Sequence, residues 1–464
     1  MQTHTAIALT GLLALTACGD GTSQASDSSD STITSATVGA TASSTDATRG
    51  SMSASESSSA GSESTTDEPT TGSSGPKLDV AAPDAGDSGS GDCTACGFDL
   101  NFSYVWIANA EEGTVSKIDT VSLQEVGRYY TRPDGAGSPS RTSVNFNGDV
   151  AVANRYGGLA KFYARHDDCD EMANGMPGLQ TSTGAGDILA WGQDDCLAWY
   201  TEFATSNQRP VAWEQGVFNP DSCRYVGAKV WTVVSSVPGL PGLGGNGGVT
   251  VYRLDGETGE ILNTVPIETF PGNQFGAYGG AVDSQGNLWF CPQGLPFTPD
   301  NKKLVRVNAQ NLAYTVFTIP QDVASYGITV DADDYVWISS TGGRGVARFN
   351  PNDESWAYPE SNTLSLGGLA QDQDGLMWVS TSSGAMGLDP TSLALVQQVN
   401  IPDGGTKGVA IDRDGFVWLV NEYAAYKFDK GSMMYEAYEG LNEPYTYSDF
   451  SGGALKNTTC GPPT

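Results

Sequence analysis

Residues able to do chemistry are few in this sequence. Histidine, the common proton carrier near neutral pH, occurs twice, as His4 and His166. Carboxylates crowd at Asp167-Asp168-Cys169-Asp170-Glu171, ahead of Asn174-Gly175. Hard oxygen ligands before a glycine turn are how a calcium loop wraps its ion, which makes Asp168, Asp170 and Asn174 the calcium candidates. Met172 stands where another carboxylate is wanted, and no glutamate closes the loop. A disulfide-pinned acidic loop is therefore the preferred reading. The pairs Asp331/Asp333, Asp372/Asp374 and Asp412/Asp414 also resemble metal ligands. Their recurrence at one place in a repeat reads better as turn-forming side chains. No cofactor is firmly implied; calcium or magnesium is what such groups could hold.

Cysteine is the other reactive type. Apart from Cys18 there are seven, an odd number, so at least one has no partner within the chain. Cys460 follows the last expected strand, and Cys93 and Cys96 precede the first, so a bridge from Cys460 to Cys93 or Cys96 would lock the two ends. A Cys93–Cys96 bridge is the simpler alternative. One pair is expected among Cys169, Cys196 and Cys223, and Cys291 is left as the free thiol. No Cys/His quartet has zinc-finger spacing.

The elements that must position these groups are set by a repeat. Gly280-Ala281-Val282-Asp283 leading to Trp289 aligns with the runs through Asp331 to Trp337, Asp372 to Trp378 and Asp412 to Trp418. The tryptophans are 48, 41 and 40 residues apart, the period of a four-stranded propeller blade. A small-residue apolar strand, an Asp/Gly turn and a strand ending near Trp recur each time. Weaker copies at 104–118, 148–162 and 228–252 bring the count to seven. The expected fold is an all-β, seven-bladed β-propeller over 93–464, with an insertion at 165–225. The first copy lacks an inner strand, so a C-terminal strand at 449–456 is expected to complete blade one and close the ring.

Propellers bind at a mouth of their axis. The starts of the inner strands here offer Arg141, Arg209, Tyr278, Tyr326, Lys407 and Asp449. The loops after the second strands offer Asn154, Arg155, Asn421 and Glu422, and also Asn109, Glu111, Tyr156 and Arg344. Convergent arginine in a chain otherwise poor in it points to a ligand bearing a carboxylate or a sugar. Inter-blade hydrogen bonds and ion pairs are the structural alternative.

Charge and address narrow the partners. The 464 residues carry 54 Asp and Glu against 23 Lys and Arg, a net charge of −31. Nucleic acid is excluded as a partner, because phosphate binding needs clustered cations. Residues 1–17 read as a lipoprotein signal: a short apolar run ends in Leu15-Thr16-Ala17-Cys18, which resembles the bacterial lipobox, with Cys18 as the acylated first mature residue. Residues 18–92 read as a disordered tether. From Gly19 to Asp92 it is rich in Ser, Thr and Asp, has 12 acidic and two basic residues and contains no aromatic. The expected product is a monomer, exported and lipid-anchored to the bacterial cell envelope, at the outer membrane or cell surface. Its partners are the membrane, through its anchor, and an unknown surface ligand or protein.

The unit Asp412 to Trp418 resembles the repeats of the streptogramin (virginiamycin B) lyase family of seven-bladed propellers, and is similar to NHL and gluconolactonase-type propellers, over about residues 98–456. For the lyases the resemblance implies a histidine base, a nearby glutamate and a magnesium ion at the mouth. His4 falls in the targeting segment and His166 in the insertion, so that machinery has no counterpart. The pieces 444–449, 140–144 and 191–196 resemble uncharacterised lipoproteins of myxobacterial type, which implies an address and no reaction. The expected function is a non-catalytic binding scaffold. The alternative is a lyase-like or gluconolactonase-like enzyme with a metal held by mouth carboxylates such as Glu422 and Asp449.

Overall fold

A computed structural model describes residues 103–460, apart from 206, 236–247, 271–274, 295–301, 361–364, 366 and 448. The expected signal, tether, Cys18, Cys93 and Cys96 lie outside the described residues.

The described chain is a seven-bladed β-propeller of antiparallel sheets. Six blades have four strands each. Their inner strands are Pro139–Val144, Gln208–Trp213, Ala277–Val282, Val323–Val330, Leu369–Gln371 and Gly408–Ile411. Consecutive inner strands touch one another around the axis. Crowding there dictates small residues: a Cβ added to Gly367 would sit 1.9 Å from the Lys407 carbonyl oxygen.

The repeated aspartate builds the turn after each inner strand. Asp331 Oδ1 accepts the N–H groups of Asp333 and Tyr335, at 3.0 and 2.9 Å, and Oδ2 accepts the Trp337 indole N–H at 2.7 Å. Asp372 and Asp412 do the same with Trp378 and Trp418. Asp283 does so with Trp289. These carboxylates are turn formers tied to an inter-blade tryptophan, and the second aspartate of each pair contributes a backbone N–H rather than a ligand. Gly375 and Gly415 take left-handed φ values of 89° and 86° in these turns; in blade five Asp334 takes that conformation at 64°, which aspartate tolerates better than most residues. The tryptophans are at most 1 % exposed and carry much of the apolar area between blades.

Ring closure differs from expectation in one respect. Blade one has three strands, Tyr104–Asn109, Thr114–Asp119 and Gln124–Tyr130. Its inner edge is covered by residues 443–447 and 449–450. The Tyr445 N–H donates to Ala108 O at 2.9 Å, the Trp106 N–H to Phe450 O at 2.8 Å, and the Ala110 N–H to Glu443 O at 3.2 Å. Closure is thus C-terminal, but by an irregular segment placed a few residues earlier than the expected strand. Residues Gly453–Cys460 form an α-helix instead. Asp449 Oδ1 accepts the Ser451 and Gly452 N–H groups, and Ser451 Oγ accepts that of Gly453. These contacts satisfy donors at the helix start, which a strand would have paired with a neighbour.

The insertion is also not one block. Leu197–Thr201 is the outer strand of blade two and Gln208–Trp213 the inner strand of blade three. The added chain is split between 163–196, within blade two, and 214–228, which holds the hairpin Val217–Asn219/Arg224–Val226. Cys169 and Cys196 are disulfide-bonded and staple the first piece. Cys223 and Cys460 are each in a disulfide as well; the expected bridge from Cys460 to Cys93 or Cys96 falls on residues outside those described. Cys291 is buried and free, and burial pushes its thiol up to about 12.

Candidate functional site

The end of the axis where inner strands begin gathers arginine and tyrosine. Arg141 and Arg209 come from the inner strands of blades two and three, and Tyr278 and Tyr326 from those of blades four and five. The closing segment adds Tyr445 and Tyr447, which sequence reasoning missed. The four phenols form one hydroxyl cluster. Tyr278 and Tyr445 lie 2.7 Å apart, Tyr326 and Tyr447 2.7 Å, Tyr278 and Tyr326 3.2 Å, and Tyr326 and Tyr445 3.3 Å.

The guanidiniums lie against these rings. Arg141 is 4.3 Å from the Tyr447 ring centre, 4.8 Å from Tyr278 and 5.7 Å from Tyr445. Arg209 lies over Tyr278 and Phe275. Arg155, from the loop after the second strand of blade two, is 4.0 Å from Tyr445, and Lys407 Nζ is 4.9 Å from the same ring. Arg141 is only 1 % exposed. Its Nη1 donates to Ser140 O at 2.7 Å, while Nε and Nη2 have no hydrogen-bond partner among the described residues. Buried donors without partners are rare and costly, so this side chain singles out the site.

The phenols respond unequally to this field. Burial pushes Tyr278 up to about 12 and raises Tyr326 and Tyr447, with neighbouring phenols adding to the effect. Tyr445 goes the other way, down to about 8. Burial opposes ionisation there too, but Arg155, Arg141 and Arg209 outweigh it, helped by the Tyr278 hydroxyl.

Other expected mouth residues divide by role. Lys407 forms a 2.7 Å ion pair with Glu422 at the rim. Glu443 is raised by burial and by Glu111 beside it. Arg344 pairs with Asp322 under the ring of Tyr358. Asn154 and Asn421 are not available to a ligand: Asn154 bonds Thr131 through both side-chain ends, and Asn421 Oδ1 accepts the Tyr423 and Ala424 N–H groups. Asn109 likewise bonds Thr114 and Ser116.

Asp449 belongs to the opposite end of the axis. It lines a cavity of about 30 Å³ with Trp213, Val282 and Val330, where inner strands finish. Burial raises it to about 6. Glu422 pairs with Lys407, ahead of the inner strand Gly408–Ile411, so a strand of four residues, about 13 Å, separates the two levels. One metal ion cannot bridge these two carboxylates. The acidic insertion is no better arranged. Asp168 pairs with Arg224, Asp170 Oδ1 accepts the Met172 N–H, and Asn174 Nδ2 donates to Gln193 O. Among the described residues, no group of three or more His, Cys, Asp or Glu is placed to hold a metal.

A larger cavity of about 100 Å³ lies at that same opposite end, between the C-terminal helix, Val144, Phe146 and Ile411. Its polar lining is spent on closure: Asn457 Nδ2 donates to Gln371 O, Gln373 Nε2 to Arg413 O, and Ser451 Oγ to Ile411 O.

Fold and axis together define the class, a seven-bladed β-propeller with an arginine–tyrosine neck. No protein-family model matches the sequence, and no curated protein matches it. Solved structures are similar in fold at low identity. A functionally unknown protein from Desulfotomaculum acetoxidans shares 12 % identity at a TM-score of 0.49, over 75 % of this chain and 100 % of its own. Virginiamycin B lyase from Staphylococcus aureus shares 12 % at 0.43, over 67 % and 89 %. AztD from Citrobacter koseri shares 12 % at 0.46, over 74 % and 97 %.

Proposed function

We propose that this protein is a lipid-anchored, exported binding propeller that takes a carboxylate-bearing ligand at the arginine–tyrosine end of its axis, without catalysing a reaction on it. The observation that carries the reading is Arg141, a buried guanidinium with two N–H groups unused among the described residues. Guanidinium offers paired donors that match a carboxylate. Arg155 and Lys407 stand nearer the rim over Tyr445, on the path such a group would take. The non-catalytic part rests on the residue types assembled. The described histidine, His166, sits in a short helical turn of the insertion, and the cluster pairs cations with phenols, which suits holding a ligand.

The binding half is tested by thermal unfolding of the full chain in acetate, citrate and galacturonate against matched chloride. A carboxylate-specific rise in Tm, absent from Arg141→Gln, is expected. No rise with any carboxylate overturns it. The anchor is tested by metabolic labelling with radioactive palmitate. Label that persists in Cys18→Ala would show that the lipid is not on Cys18.

A further inference from the structure

A guanidinium as deeply buried as Arg141 needs a negative charge nearby, because an uncompensated ion in such a place costs several kcal/mol. Among the described residues no carboxylate pairs with it; the groups that touch it are a backbone carbonyl and three phenol rings. Among the described residues the acids in contact with Arg141 are phenols, so in the absence of a bound anion a phenolate is the charge that can stand beside it.

Position selects which one. Tyr445 has three cationic groups over its ring, Arg155 at 4.0 Å, Lys407 at 4.9 Å and Arg141 at 5.7 Å. Its oxygen is 2.7 Å from the Tyr278 hydroxyl and 3.3 Å from that of Tyr326, within hydrogen-bond reach of both. Tyr278, Tyr326 and Tyr447 face fewer cations and each other. The remaining charged groups of this end lie at the rim: Glu422 on Lys407, and Glu443 beside Glu111. The three cations over its ring favour the anionic form at Tyr445 more than at the other phenols of the cluster, the direction in which its ionisation is shifted.

Resting on the binding reading above, we propose that Tyr445 is the titratable counter-ion of the axial guanidiniums, a phenolate in mildly alkaline solution when this end of the axis is empty and a phenol when a carboxylate has replaced it. The exchange balances simply. The ligand brings one negative charge to the guanidiniums, and the Tyr445 oxygen takes one proton from solvent. At and above the Tyr445 transition near 8 carboxylate binding is then coupled to proton uptake, so affinity falls as pH rises through it, and below it affinity is independent of this group. A fixed carboxylate would have kept one guanidinium paired at every pH. A phenol makes its charge conditional on what the neck holds.

The test reads the phenolate directly, by absorbance at 295 nm of the full, folded chain between pH 6.5 and 10. One tyrosine equivalent is expected to ionise near pH 8. It should be missing in Tyr445→Phe and retained in Tyr447→Phe, which controls for disturbance of the cluster. If no tyrosine ionises before alkaline unfolding, or if the early transition survives in Tyr445→Phe, the counter-ion assignment is overturned. Adding acetate at pH 9 against equal chloride should lower the signal and take up protons. An unchanged phenolate signal while acetate raises the Tm of the wild type overturns the exchange but leaves binding intact. A normal phenolate transition with no carboxylate-dependent Tm rise leaves the counter-ion standing and sinks the binding reading alone.

Discussion

Asp331 shows how much one repeated side chain does. It accepts two backbone N–H groups and an indole N–H within seven residues of chain. Burial nevertheless raises its carboxyl from 3.8 to about 6, the bonds from Trp337 and the backbone working against that rise. A folded pKa above the unfolded one means that the carboxyl is most favourable to the fold when protonated, and that this advantage is lost as pH rises from about 4 to about 6. Asp331→Asn should therefore destabilise more at pH 4 than at pH 7, by up to about 3 kcal/mol, as read by urea unfolding at the two pH values. Equal losses at both would show that the carboxyl titrates normally in the fold. Trp337→Phe removes only the indole donor and a little volume, and should cost about 1–3 kcal/mol at neutral pH by the same measurement.

Single elements give up their roles to truncation. The closing segment 443–450 covers the free inner edge of blade one, whereas the helix Gly453–Cys460 lies against the far end of the axis. A chain ending at Gly452 should keep a cooperative melt at a lower Tm. A chain ending at Asn442 loses the backbone pairing to Tyr104–Asn109 together with Tyr445, Tyr447 and Phe450, and should lose cooperative unfolding altogether. Cooperative melting of the shorter chain would mean that the ring holds without its last segment. The Cys169–Cys196 bridge spans 27 residues, and a loop of that length predicts a loss of about 3.5 kcal/mol for Cys169→Ser/Cys196→Ser in urea unfolding.

The same elements show what the sequence discloses and why. The Asp-to-Trp turns were legible because every bond in them runs between residues two, four or six apart. The inner-strand register likewise placed Arg141, Arg209, Tyr278 and Tyr326 together. Tyr445 and Tyr447 were not seen there because Gly452-Gly453-Ala454-Leu455 looks like the inner strand around Gly279-Gly280-Ala281-Val282. The competing helix is started by Asp449 and Ser451 side chains, a local bond pattern that composition does not reveal. The alternation Tyr445-x-Tyr447 just before it was the available clue. Asp449 was misplaced for the same reason, and with it the idea of a metal shared with Glu422.

At the scale of the whole molecule, charge and closure matter most. With Asp168, Asp170 and Asn174 engaged by protein groups, calcium at 5 mM should leave the Tm of the full chain unchanged relative to EDTA. A rise of several degrees would point to a cation site built in some other way. The net charge of −31 also repels anions from most of the surface, so carboxylate binding at the neck should strengthen as salt rises from 10 to 150 mM, the reverse of an ordinary surface ion pair.

The closing segment has a further consequence, in the order of synthesis. A ribosome makes Tyr104–Asn109 more than three hundred residues before the chain that covers its edge. Six blades can gather as they emerge, but the ring cannot shut, nor the neck acquire Tyr445 and Tyr447, until the closing segment arrives. Through that interval blade one presents an open strand edge, the kind of surface that neighbouring nascent chains pair with. Folding of this protein is thus a race decided when the segment around Tyr445 and Tyr447 emerges, and the arginine–tyrosine neck is completed only then.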